Sequence, residues 1–215
     1  NWFTRIKYWD YEAAYDEEEI NESTVLWTPF DFWSYYNPSL IEKQKEHKPV
    51  KLITPIEEII LAGENRKVEF KATLRYCLKQ NKPMEYIGHS VVKTIAAFSN
   101  TEGGILFIGV EDDSTILGIQ EDIDSFRTKS KDDFLKHFDN LIKSHFTTPI
   151  DALIEHDLVY IDKKPIFYVH VRKSTNPRFV KTKSNGKEFF IRRAASTSKL
   201  DIEETLLYSI DKWYR

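Results

Sequence analysis

Glu64, Glu69, Lys71 and Asp112 are the side chains whose types and spacing could do chemistry together. The two glutamates and the lysine sit in GENRKVEFK, and Asp112 is the middle acid of the run Glu111, Asp112, Asp113. Carboxylate oxygens suit Mg²⁺ or Mn²⁺. Phosphodiester cleavage needs a cation that offsets charge on the attacked phosphate and lowers the pKa of a bound water. A lysine beside such a site can neutralise developing charge or assist the leaving oxygen. The same residues also admit a structural reading, in which Glu64 caps a turn and Glu69 and Lys71 pair on a strand surface.

Those acids must be positioned by regular elements. Residues 67–74 read as a strand with Val68, Phe70 and Ala72 on one face, so that Glu69, Lys71 and Thr73 share the other. Glu64 precedes it, where a turn can fold it back. Thr54 and Pro55 open a helix over 55–62, with Glu57 three residues after the cap, and Gly63 ends it. Helical spacing over 89–99 is followed by an apolar strand over 105–110 that carries Glu111, Asp112 and Asp113 at its tip. A short strand is expected at 115–119. Residues 130–146 form an amphipathic helix with Phe134, Leu135, Phe138, Leu141, Ile142 and His145 on one stripe. Strands at 153–161, 165–172, 179–181 and 188–192 and a helix from Asp201 complete the pattern. The fold class is α/β (α+β), a mixed β-sheet flanked by helices.

Between these elements lies a small-residue turn, Ser99, Asn100, Thr101, Gly103 and Gly104, which could present backbone N–H groups to a phosphate. Two glycines before a strand need no ligand to explain them, however. The phosphate loop G-x-x-x-x-G-K-[ST] of NTPases is missing, which argues against a nucleotide-hydrolysing engine.

Net charge is −3 over 215 residues, but it is unevenly spread. Residues 163–199 hold eleven Lys and Arg against the single acid Glu188. This segment makes Lys173, Arg178, Lys181, Arg192 and Arg193 candidates for phosphate contact. Arg192 and Arg193 are neighbours, so a regular strand presents at most one of them on a binding face. A solvated basic surface is the plain alternative. Residues 1–50 differ in kind: they hold ten acids against five Lys or Arg, and twelve aromatics before Asn37. They are expected to be an aromatic-rich extension that packs on the main domain, a partner, or another part of a longer protein. Residues 51–215 are expected to be the functional domain. A single cysteine, Cys77, excludes an intrachain disulfide framework and fits a reducing, cytoplasmic setting. The six histidines are scattered, without zinc-ligand spacing, and no apolar run is long enough to span a membrane.

Four blocks in order, GENRKVEFKATL, AAFSNTEGGILFIGVEDDSTILGI, STNPRFVK and FFIRRAASTS, resemble the Schlafen AlbA_2 (divergent AAA-4) domain over roughly residues 55–200. The resemblance implies a mixed α/β fold used for nucleic acid. It matches Glu64 and Glu69 to the glutamates and Lys71 to the lysine of an E-x-x-x-x-E-x-K pattern, and Asp112 to a third acid, with Glu111 and Asp113 as rivals. It implies a metal-dependent endonuclease on structured, tRNA-like RNA, with Mg²⁺ or Mn²⁺ held by Glu64, Glu69 and Asp112. A toxin or antiviral effector role in a larger protein goes with it, and RNA is favoured over DNA. Schlafen nucleases enclose substrate between two similar lobes. With one lobe here, a homodimer is the corresponding hypothesis. The alternative is a DNA- or RNA-binding regulatory module that does not cut.

Overall fold

The computed structural model describes residues 56–184 and 186–214. The expectations for residues 1–50 and for a helix cap at Thr54 and Pro55 lie outside them. Helix α1, Ile56–Leu61, ends at Gly63, whose φ of +78° closes the turn with its N–H on the Ile60 carbonyl at 3.0 Å. Strand β1, Val68–Lys71, lies parallel to β4, Gly104–Ile108, with Glu69 level with Leu106 and Phe70 level with Phe107. β6, Lys164–Val171, and β5, Ile154–Ile161, extend the sheet antiparallel in the order β1-β4-β6-β5. A two-stranded ribbon, β2 (Tyr76–Cys77) and β3 (Lys82–Pro83), separates β1 from helix α2, Glu85–Ser99. Helices α3, Gln120–Asp124, and α4, Lys131–His145, follow β4. A second antiparallel sheet, β7 (Phe179–Lys181), β8 (Lys187–Arg193) and β9 (Ser196–Leu200), precedes helix α5, Ile202–Trp213.

Burial explains the arrangement. Along α2, Val91, Val92, Ile95, Ala96, Ala97 and Phe98 are all fully buried. A helix apolar around most of its circumference must be covered on more than one side. The first sheet covers one face through Leu106, Ile108, Val169 and Val171, and the second covers the other through Val180 and Phe190. α4 adds Phe134, Phe138 and Ile142 to this core, so its stripe is as the 3.6-residue period requires. Ser130 caps α4 by accepting the Asp133 N–H at 3.0 Å. The opposite face of the first sheet carries Val68, Phe70, Phe107 and Ile166 and is closed by Ile60 of α1. β1 and β4 are therefore buried on both faces. Each phenylalanine or isoleucine buried there contributes about 1.5–3 kcal/mol.

Several expected boundaries move for local reasons. α2 begins four residues before the expected His89, at Glu85. The short strand at 115–119 is one bridge, Val110 with Ile116, followed by α3. β9 was not anticipated, because its polar STSK face lacks strong alternation, but it completes the ladder on β8 with Arg192 opposite Thr197. α5 is closed at its start by a capping box between Asp201 and Glu204.

The turn after α2 is a structural joint. Asn100 is fully buried. Its Nδ2 donates to the carbonyls of Arg178 at 2.8 Å and Phe190 at 3.0 Å, and its Oδ1 accepts the Arg178 N–H at 2.8 Å. The Ser99 carbonyl accepts the Ser174 N–H at 2.7 Å. Gly103 and Gly104 are there for close approach. A Cβ on Gly103 would stand 2.5 Å from the Val171 carbonyl oxygen, and one on Gly104 would stand 2.5 Å from the Phe98 ring. The turn's N–H groups are taken by α2 itself, Asn100 on the Ala96 carbonyl at 2.9 Å and Thr101 and Gly103 on the Phe98 carbonyl at 3.0 and 2.9 Å, which corrects the phosphate-cradle expectation.

Candidate functional site

β1 is an edge strand, and its outward N–H groups need acceptors from outside the sheet. Glu64 folds back across the turn, as expected, and its Oε1 accepts the Phe70 N–H at 2.7 Å. This bond fixes the Glu64 carboxylate beside β1. Burial pushes its pKa above the ordinary 4.5. The Phe70 hydrogen bond opposes the shift, while the charges of Glu69 and Asp112 add to it.

Glu69 points the other way, to the α2 side of the sheet, because strand side chains alternate. It is only 8% exposed. Burying a carboxylate is costly unless it is paired, and two cations meet this one. Lys71, two residues on along the same face, donates to Oε1 and to the Phe70 carbonyl. Arg192 reaches in from β8 with Nη1 2.6 Å from Oε2. The Arg192 guanidinium also donates through Nη2 to the carbonyls of Asn65 at 3.0 Å and Val68 at 3.1 Å, and lies 5.2 Å from the centre of the Phe98 ring. The close Arg192–Glu69 approach is an ion pair whose angles do not make a hydrogen bond. Glu69 Oε2 and Arg192 Nε are thus buried without hydrogen-bond partners among the described residues.

The predicted site residues therefore separate. Glu69 and Lys71 are in contact, with Glu64 anchored on the same strand. Asp112 is exposed on the loop after β4 and makes no hydrogen bond or ion pair among the described residues. Of its rivals, Asp113 accepts the Thr115 N–H at 2.9 Å, and Glu111 is exposed. Carboxylates are suitable donors for Mg²⁺ or Mn²⁺, but among the described residues no group of three or more His, Cys, Asp or Glu side chains is placed to hold a metal ion. The arrangement does not fit a three-carboxylate ion site. Glu69 already faces two protein cations, and one oxygen of Glu64 is committed to a backbone N–H.

The basic candidates separate in the same way. The Arg192 side chain is fully buried, so it cannot reach a phosphate, whereas Arg193 is exposed and lies 3.6 Å from Glu204. The expectation that at most one of the pair faces out is met by Arg193. Arg178 is tied to the Ser174 hydroxyl at 2.8 Å, the Thr148 hydroxyl at 2.9 Å and the Pro149 carbonyl at 3.1 Å. Lys173 and Lys181 are exposed and free of hydrogen bonds and ion pairs among the described residues. Sequence reasoning missed Lys187, which the β7–β8 register sets directly opposite Lys181. The signal was available: Lys181 and Lys187 flank the turn of a basic hairpin.

A mixed sheet carrying an acid-lysine edge strand, joined through a buried helix to a second sheet with a basic hairpin, defines an α+β domain. The family model "Schlafen, AlbA_2" matches residues 64–201, well over half of the chain, and the chain belongs to that family. No curated protein matches it. Among solved structures it is similar to the DIP2311 protein of Corynebacterium diphtheriae, at 18% identity and a TM-score of 0.44, covering 80% of this chain and 31% of that one. It is also similar to the N-terminal domain of a RecG-related protein from Nitrosomonas europaea, at 18% identity and a TM-score of 0.43, covering 69% and 95% respectively. The chain thus spans less than a third of the first of these proteins. Among the described residues, no helix is long and apolar enough to cross a membrane.

Proposed function

We propose that this domain binds nucleic acid through the β7–β8 hairpin and the strand leading into it, with Lys173, Lys181, Lys187 and Arg193 meeting backbone phosphates. One observation carries the reading. Lys181 and Lys187 are directly opposed across the ladder, both exposed and both without an acidic partner among the described residues. Like charges in that relation destabilise a hairpin. A polyanion bridging them turns the repulsion into binding energy and releases counterions. Structured RNA is favoured over DNA, and a second copy of the chain would complete a groove around it. Gel shifts with tRNA, ribosomal RNA and single- and double-stranded DNA across a salt series test the binding. Affinity that does not fall with salt would overturn it. A monomer with full affinity would remove the second copy.

A second reading, a divalent-metal-dependent endoribonuclease with a role in defence, draws support from a different observation. The Glu64 carboxylate is fixed beside β1, where Glu69 and Lys71 are in contact, so two of the acids and the lysine are already together, and Asp112 on its exposed loop would have to approach them to complete an ion site. On this reading Lys71 neutralises charge at the attacked phosphate. The same nucleic acids incubated with Mn²⁺, with and without EDTA, decide between the readings: EDTA-sensitive cleavage lost in Glu64→Gln, with the fold retained by circular dichroism, supports the enzyme, and uncut substrates support the binding module.

A further inference from the structure

A pocket of about 360 Å³ opens between α2 and the β8–β9 strands, on the side of the sheet to which Glu69 points. It lies within the size range of small-ligand sites. Helix α2 lines it with Ser90, Lys93 and Thr94, which the 3.6-residue period places on one face. Thr197 and Lys199, two apart on β9, line it from the other sheet. Three hydroxyls and two ammonium groups therefore converge on a single small volume.

Charge pairing leaves one of these groups over. Glu188, also in the lining, is matched by Lys199 at 2.7 Å. Glu69, which closes one wall, is matched by Arg192 and Lys71. Lys93 is half-buried with its ammonium 5.5 Å from the centre of the Phe190 ring, and among the described residues it has neither a hydrogen bond nor an ion pair. The hydroxyls of Ser90 and Thr94 have no hydrogen-bond partner among them either. Thr94 is only 2% exposed, and an unpartnered hydroxyl in that position beside an unpaired ammonium marks a place for a polar occupant.

We infer that this pocket binds a phosphoryl group, held by the Lys93 ammonium and the hydroxyls of Ser90, Thr94 and Thr197. A tetrahedral anion takes several donors at once and supplies the charge that Lys93 lacks. The volume suits a phosphate on one nucleotide and not a duplex. The carrier is a phosphorylated nucleic-acid end, and that part alone rests on the proposed nucleic-acid function; phosphate binding itself rests on the pocket.

The test is calorimetric titration of the whole chain with inorganic phosphate, then with AMP, then with one RNA dodecamer bearing or lacking a 5′-phosphate. Lys93→Gln should weaken phosphate binding about tenfold or more, the loss of a charged hydrogen bond. Thr94→Val, which keeps the side-chain shape, should weaken it less, and Lys143→Gln, on the exposed side of α4, should leave it unchanged. Circular dichroism checks that each variant folds. Preference for the phosphorylated dodecamer supports the end as carrier, and AMP binding without that preference replaces it with a free nucleotide. Absence of phosphate binding by the folded wild type, or equal binding by Lys93→Gln, overturns the inference. If phosphate binds through Lys93 while long RNA does not bind at all, the proposed function fails and the pocket stands.

Discussion

Arg192 of β8 reaches across to Glu69 of β1, Nη1 to Oε2 at 2.6 Å, with the arginine side chain fully buried and the glutamate nearly so. The contact joins the edge of the first sheet to the centre of the second. It also converts two residues that read as surface chemistry into part of the domain's interior. Removing Glu69 leaves the Arg192 charge buried without a counter-ion, which typically costs about 3–5 kcal/mol, and removing Arg192 leaves Glu69 with Lys71 alone. Arg192→Leu and Glu69→Leu should each lower the urea midpoint strongly, and the double variant should lose less than the sum of the two. Strict additivity would show that the pair is not coupled.

The joint at Asn100 leads to a second expectation. Its side chain satisfies the Phe190 carbonyl of β8 and both the carbonyl and the N–H of Arg178, just before β7. Asn100→Ala removes all three partners at once, and each buried group left unmatched costs about 1–3 kcal/mol. A large loss of stability with faster amide exchange at Arg178 is expected. Unchanged exchange there would contradict the role given to Asn100.

Gly104 gives a steric test. A methyl group there meets the Phe98 ring at 2.5 Å and the Lys67 carbonyl oxygen at 2.7 Å. Backbone cannot move aside as a side chain can, so Gly104→Ala should cost about 1–3 kcal/mol. A melting temperature equal to that of the wild type would mean the strands can separate there freely.

Charge reversal in the hairpin separates stability from binding. Lys181→Glu turns a like-charge cross-strand pair with Lys187 into an opposite-charge one, which should stabilise the fold by about 0.2–1 kcal/mol. The same change should weaken RNA binding and flatten its salt dependence. Weaker binding with lower stability would point to misfolding, and unchanged binding would take Lys181 out of the interface.

Acid should destabilise the domain from just below neutrality. His89, His137 and His170 each titrate below the ordinary 6.5, in every case chiefly through burial. A base whose folded pKa is depressed binds fewer protons folded than unfolded, so its contribution is fully present above 6.5. That contribution is lost as pH falls through the lower folded values. Urea midpoints measured from pH 7.5 to 5 should decline over that window, and His137→Gln should reduce the decline. A flat profile would mean that the three imidazoles titrate normally.

Much of this was legible in the chain itself. The α4 stripe, the strand at residues 179–181 and the glycine stop at Gly63 follow from periodicity and local sterics, which neighbouring residues decide among themselves. The four family blocks likewise identified the domain, since their order is a property of the chain. What Glu69 and Arg192 do was not legible. Alternation put Glu69 on one face of β1 and allowed one of Arg192 and Arg193 to face inward. It could not say that the two inward groups, 123 positions apart, would meet over Phe98. Asn100 is a similar case: a polar residue in a glycine turn reads equally as ligand cradle or joint. Only the packing of a second sheet onto α2 made it a joint, because burial obliges each charge and each backbone group to find its partner wherever the fold brings one.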